Sequence, residues 1–321
     1  MTNKKPSNWM MNLILPLAGV VVLLQKLGQS RRVVDWFAGF MNSPKRKRKE
    51  FAGYQPTSSD VIVATYARSG TNWALQIALQ IAHYGEAEFN FLHDIVAWPD
   101  APLPLVRATL ADTSPAKLAP SGSRVIKTHR EQAYVPYTPE AKYIVVIRDP
   151  KEVFVSAYFF ARSMFGSIVD LDYSSDEWMD LFFSDRFVFG SWAEHTASWW
   201  PYRERKNVLL VTYAEMKRNP RAIIRRIADL MQVKLTPEQL EKVVEKSSFE
   251  YMKVHEEQFV PPSLIFRKNQ DRMIRSGKTG ASSEFINAEQ QSRIDGLALS
   301  ELRRLGSDFP YKELFGSQQS N

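Results

Sequence analysis

In "SRVIKTHR", Lys127 and His129 stand two residues apart at the end of a Val- and Ile-rich run. On an extended chain that spacing puts both side chains on one face. An imidazole there titrates near neutral pH, and the lysine beside it brings a cation into the same crevice. A second chemical cluster lies in "VIVATYARSGTNWALQIALQ" (61–80), where Arg68, Ser69, Gly70, Thr71 and Asn72 link a β-branched run to an amphipathic stretch. Gly70 lets the backbone approach a ligand, and the N–H groups of the following helix start favour an anion. A third, "IVVIRDPKEVFVSAYFF", closes a strand with Arg148, starts a helix at Pro150 and sets Ser156 further along it, a pairing suited to clamping a phosphate.

Each cluster also has a plain structural reading. Residues 67–72 would make an ordinary capped turn, and Arg148 with Asp149 a surface turn. The 67–72 loop is not a Walker A motif, because Asn72 and Trp73 follow Thr71 where that motif needs a lysine and a hydroxyl residue. His83, His93, His195 and His255 are expected to be satisfied polar residues; only His129 has a cation for company.

These residues need a frame. Short buried-strand runs fall at 61–66, 123–128, 141–147 and 207–213, with helical stretches near 72–84, 151–163, 175–184, 189–205, 219–231, 236–246 and 287–305. Strands without polar alternation, separated by helices, predict an α/β fold with a parallel sheet covered on both faces. The carboxyl ends of such strands line one edge, where ligands settle, and every cluster above falls at such an end.

Composition narrows the class. The 321 residues are 44% hydrophobic and 24% charged, which is ordinary for a globular chain. With no cysteine, disulfides, thiolate zinc sites and thiol nucleophiles are excluded, which favours the cytoplasm or the cytoplasmic side of a membrane. Residues 1–50 hold ten Lys or Arg against Asp35 and Glu50, leaving 32 basic and 33 acidic residues in the remainder. The folded part is therefore close to neutral, and no nucleic-acid partner is expected.

Residues 13–24, "LILPLAGVVVLL", are apolar without interruption but short for a membrane span, and "QKLGQSRR" offers no cleavage site. With "RRVVDWFAGF" and "KRKRK", residues 9–49 suit an anionic membrane surface, either as an interfacial helix or as an anchor. A disordered or locally helical tail is the alternative. If the segment inserts, the heavier cationic flank on its C-terminal side predicts that the body faces the cytoplasm. "NSPKRKRKEFAGYQPTSS" reads as a polar linker. The expected organisation is a leader and linker over 1–55, a catalytic domain over 56–315 and a tail over 316–321.

Taken together, "TYARSGTNW", "VIKTHR", "YIVVIRDPKEVFVSAYFF", "LLVTYAEMKRNP", "SSFEYMK" and "RSGKTG" resemble the cytosolic-type sulfotransferase family in order and spacing, over roughly residues 58–311. The resemblance implies a three-layer, P-loop NTPase-like α/β fold, 3′-phosphoadenosine 5′-phosphosulfate as donor and an alcohol, phenol or amine as acceptor. It makes Arg68, Ser69, Gly70, Thr71 and Asn72 the cradle for the 5′-phosphosulfate, with Trp73 against adenine. Arg148 and Ser156 would hold the 3′-phosphate with Arg275, Ser276 and Gly277; Tyr213 and Ser247 would line the adenine end. Lys127 and Arg68 would stabilise the transferring group, and His129 would be the base. No metal is expected, because the sulfuryl group bears less charge than a phosphoryl group.

The chain departs from the family at Ala67 and Arg68, where Pro-Lys is usual, at Asn72 for Thr and at Ser276 for Lys. A planar guanidinium is not a geometric equivalent of an ammonium. The family's short dimerisation element is poorly matched around Phe285 to Glu289, which leaves a homodimer open. Two rival functions stand beside this one. A P-loop kinase or NTPase would use Asp149 as its metal-binding acid, and a catalytically idle protein would use the leader on a membrane surface. "FNFLHDIVAWPDAPLP" (89–104), "RSMFGSI" (162–168) and "FGSWAEHTASWWPY" (189–202) supply loops for a small, lipid-like acceptor, although Trp199 and Trp200 also read as core.

Overall fold

Val61, Val63, Val125, Ile144, Val146 and Val211 pack on one side of a four-stranded sheet, and Ile62, Ala64, Ile126, Tyr143, Val145 and Ile147 pack on the other. Side chains alternate along a strand, so two buried faces require the near-continuous apolar runs seen in the sequence. The computed structural model describes residues 30–102, 108–165, 173–260 and 285–316. Strands β1 (Asp60–Thr65), β2 (Arg124–Thr128), β3 (Lys142–Ile147) and β4 (Val208–Thr212) run parallel in the order β2-β1-β3-β4.

The described chain begins with α1 (Ser30–Asn42) and α2 (Pro44–Glu50); α3 (Thr71–Ala82) follows β1, and α4 (Ser114–Leu118) precedes β2. After β3 come α5 (Pro150–Phe165), α6 (Ser175–Phe182) and α7 (Trp192–Trp199). After β4 come α8 (Tyr213–Arg218), α9 (Pro220–Met231), α10 (Pro237–Lys246) and α11 (Phe249–Val254), and later α12 (Ala288–Arg304) and α13 (Tyr311–Phe315). Helices α3, α9 and α10 cover the Val61 face through residues such as Ile77, Ile227 and Val243. Phe154 of α5, Trp178 of α6, Trp199 of α7 and Ile294 of α12 cover the other. The helices that follow the adjacent strands β1 and β3 thus leave to opposite faces, which opens a crevice between the carboxyl ends of those strands.

Helices α4, α11 and α13 go beyond the sequence expectation, and two further elements differ from it. The stretch 189–205 is not one helix: Ser191 caps a start at Trp192, and Pro201, which has no N–H to donate, sits in a single 3₁₀ turn, Trp200–Tyr202, where the α-helix ends. The supposed polar linker contains α2, whose basic run is partly docked. Lys47 is buried with its Nζ 2.7 Å from Glu131, and the Arg46 guanidinium donates to the Ala101 carbonyl at 2.7 Å.

At the amino edge of the sheet, buried Asp60 and Arg124 pair at 2.9 Å. Tyr54 Oη and the Thr57 amide donate to the second Asp60 oxygen at 2.6 and 2.7 Å, and Arg124 reaches the carbonyls of Leu110 and Asp112. This cluster clamps the starts of β1 and β2.

Candidate active site

After β1 the chain turns through Arg68 at φ +69° and Gly70 at φ +91°. A Cβ on Gly70 would lie 2.7 Å from the Tyr213 ring, so this left-handed position also needs glycine for space. Gly70 caps α3 without a side-chain acceptor, and the first N–H groups of a helix have no partner within it. Thr71 Oγ1 lies 2.6 Å from Thr65 Oγ1, which ties the helix start to the strand end. Ser69 Oγ is buried with no partner. Trp73 Nε1 donates to the Ser247 carbonyl at 2.8 Å, and its ring meets Tyr213 edge-on at 5.7 Å. Ser247 Oγ, too, is buried and unpartnered. Two orphaned hydroxyls and an uncapped helix start fit a ligand rich in acceptor oxygens.

Next to this loop the structure brings Arg68, Arg148 and Ser156 together. Arg68 Nε donates to Ser156 Oγ at 3.2 Å, with its guanidinium over the Phe160 ring at 4.4 Å. Arg148 donates to the Arg68 carbonyl at 2.9 Å, pairs with Glu152 at 2.9 Å and lies 4.3 Å over the Tyr213 ring. Burial, and then the neighbouring Arg148, push Arg68 down to about 10, still protonated at neutral pH. Two guanidiniums this close suit a multiply charged anion. Asn72 Nδ2 donates to the Phe259 carbonyl at 3.4 Å.

Across the crevice, at the end of β2, His129 Nδ1 lies 2.8 Å from the Thr65 carbonyl. A carbonyl only accepts, so Nδ1 carries the proton and Nε2 keeps its lone pair. Burial first, and then the Lys127 cation, hold His129 well below the usual histidine range, so the ring is neutral at pH 7. Lys127 is 6% exposed, and its Nζ sits 3.3 Å from the Trp98 ring centroid. Burial pushes it down to about 7, with Asp100 opposing and Arg68 adding to the shift. An anion brought to this lysine would raise it again, since an opposite charge favours the charged form.

Sequence reasoning missed the residues that hold this pair. Buried Asp100 accepts the His129 backbone N–H at 2.9 Å, and Trp98 meets the His129 ring edge-on at 5.6 Å. Buried Arg130, the next residue, binds both Glu50 oxygens at 2.6 and 2.7 Å and the Met41 carbonyl at 3.1 Å. The chain just after the imidazole is thereby fixed to α1 and α2. Their partners lie tens of residues away, so no local pattern reveals them. His195 departs from the expectation of a satisfied polar residue: it is buried, and its Nε2 has no partner.

Arg275, Ser276 and Gly277 lie outside the described residues. Asp149, the acid a kinase would need for metal, is paired instead with Lys151 at 3.2 Å and accepts that residue's amide. Among the described residues, no group of three or more His, Cys, Asp or Glu side chains is placed to hold a metal ion.

A parallel sheet with a glycine-bearing anion loop, an arginine clamp and a lysine–histidine pair at its carboxyl edge defines a group-transfer enzyme acting on an anionic donor. This chain belongs to the sulfotransferase domain family, which matches it over residues 58–306. It is 29% identical over 282 residues to Sulfotransferase 2A1 of Macaca fascicularis, covering 86% of this chain and 93% of that one. It is 28% identical over 238 residues to the 3-beta-hydroxysteroid sulfotransferase of Cavia porcellus, covering 69% and 77%. Among solved structures, retinol dehydratase in complex with androsterone and the inactive cofactor PAP superposes with a TM-score of 0.67 at 19% identity, over 84% of this chain and 88% of that one, which shows the shared fold.

Proposed function

We propose that this sulfotransferase moves the sulfuryl group of 3′-phosphoadenosine 5′-phosphosulfate to a hydroxyl of a small hydrophobic acceptor. The observation that carries the proposal is the fixed tautomer of His129, which puts the ring's lone pair on Nε2, with the Lys127 cation as a neighbour. His129 takes the acceptor's proton at Nε2 as the oxygen attacks, while the Thr65 carbonyl stabilises the imidazolium through Nδ1. Lys127 and Arg68 stabilise negative charge on the transferring group and its leaving oxygen. Arg148 and Ser156 hold the 3′-phosphate, joined by Arg275, Ser276 and Gly277. Ser69, Gly70, Thr71 and Asn72 cradle the 5′ end, while Trp73, Tyr213 and Ser247 line the adenine end. The donor supplies an activated sulfuryl group on a phosphate leaving group; the chain's own residues bind it, aim it and manage one proton.

Two of the orphaned atoms support this fit, because Ser69 Oγ and Ser247 Oγ fall in the segments assigned to the two ends of the donor. The PAP found with retinol dehydratase supports the same nucleotide here, and the hydroxysteroid named for the Cavia porcellus relative supports a hydrophobic alcohol as acceptor. A cytoplasmic setting belongs to the same reading. The test is transfer of labelled sulfate from the donor to a hydroxysteroid panel by the full chain. Transfer that disappears in His129→Ala is the expected result; transfer that survives it would overturn the assignment of the base.

A further inference from the structure

We infer that α1 and the basic run of α2 form a surface that docks on an anionic lipid bilayer, a property separate from the reaction above. Helix α1 has two faces. Ala38 is fully buried, Met41 is buried, and Asn42 Nδ2 donates to the Phe187 carbonyl at 2.7 Å, so one face is held against the body. On the other, Arg32, Trp36, Gly39 and Phe40 share a stripe by helical spacing, and all four are exposed. Trp36 is 61% and Phe40 46% exposed, and their rings stack at 6.1 Å. Among the described residues, the other large exposed hydrophobic side chains, Leu118, Val254 and Leu314, lie on separate helices.

Charge selects the occupant. Lys45, Arg48 and Lys49 are exposed on the next helix, whose Arg46 guanidinium lies 4.6 Å over the Phe40 ring. The only acids in residues 1–50 are already engaged, Asp35 with Arg186 at 3.7 Å and Glu50 with Arg130 at 2.6 Å. The face therefore presents an aromatic pair among uncompensated cations. Amphipathic rings sit at the headgroup level of a membrane, and nearby cations bind anionic lipid. The sequence continues the theme, since the chain reaches α1 from the apolar run 13–24. Because Arg46 and Lys47 bind Ala101 and Glu131, the docked helices are fixed to the chain on both sides of His129.

The absence of cysteine makes the test site-specific. Gly39→Cys places a unique nitroxide between Trp36 and Phe40 without removing either, and a Cβ there meets nothing within 4 Å. Val254→Cys, on exposed α11, is the control. On the full chain mixed with phosphatidylcholine/phosphatidylserine vesicles, the label at 39 should become shielded from a water-soluble relaxation agent and open to oxygen, while the label at 254 stays wet. Replacing Lys45, Arg48 and Lys49 by Gln should weaken vesicle affinity roughly fivefold per cation removed. A label at 39 that stays wet on vesicle-bound protein, a protein that ignores anionic vesicles, or a label immobilised by self-association in solution would each overturn the inference.

Discussion

The two edges of the sheet handle buried polar groups in opposite ways. At the amino edge, Asp60 and Arg124 each meet several partners, and the cluster is closed. At the carboxyl edge, Ser69 Oγ, Ser247 Oγ and one Asp100 oxygen are buried without partners, and Lys127 faces an aromatic ring rather than a carboxylate. Burying an unpaired polar group costs about 1–3 kcal/mol. A fold that satisfies one edge and leaves the other open has reserved the second for a ligand.

The largest effect expected at the open edge is on the chemistry. His129→Ala should lower kcat by roughly 10²–10⁴-fold and leave donor affinity intact, as read by steady-state kinetics beside direct donor binding. Lost donor binding with normal turnover of the bound fraction would break the division of roles. At the closed edge, Asp60→Ala strands the buried Arg124 and should cost about 3–5 kcal/mol in denaturant unfolding, with donor affinity of the folded protein unchanged.

The remaining predictions sharpen the contrast within the open edge. Arg148→Ala should weaken donor binding by about 1.5–3 kcal/mol in calorimetric titration, with a smaller effect on kcat. Ser69→Ala should also weaken it, by about 1 kcal/mol, yet leave thermal stability equal or higher, because an unsatisfied hydroxyl is removed. The smallest effect concerns pH. Lys127, pushed down to about 7 in the free enzyme, is a cation below that pH and neutral above it. kcat/KM for the donor should therefore fall as pH rises past about 7, and Lys127→Arg should remove that fall. An unchanged profile in the arginine variant would assign the titration to another group.

The contrast also explains what the sequence made legible. Val and Ile runs located all four strands to within a residue or so, because burial on both faces demands them. Strand ends and the loops after them carried Arg68, Lys127, His129 and Arg148 in plain view, since each lies within three residues of the strand end that positions it. Helix α2 was hidden, because "PKRKRKE" has no apolar period and is held by contacts to Glu131, Ala101 and Arg130. Asp100 was hidden for the same reason: its partner is the amide of a residue on another strand end. The open valence of Ser69 and Ser247 is a property of packing, which no residue pattern encodes.

The most direct test of a carboxyl edge reserved for a 3′-phosphorylated nucleotide is thermal unfolding of the full chain with adenosine 3′,5′-bisphosphate and, separately, with ATP and Mg²⁺. Binding to the native state at about 100 times Kd stabilises it by about 2.7 kcal/mol. A raised Tm with the bisphosphate and none with ATP is the predicted result; the reverse pattern, or no shift with either, would contradict it.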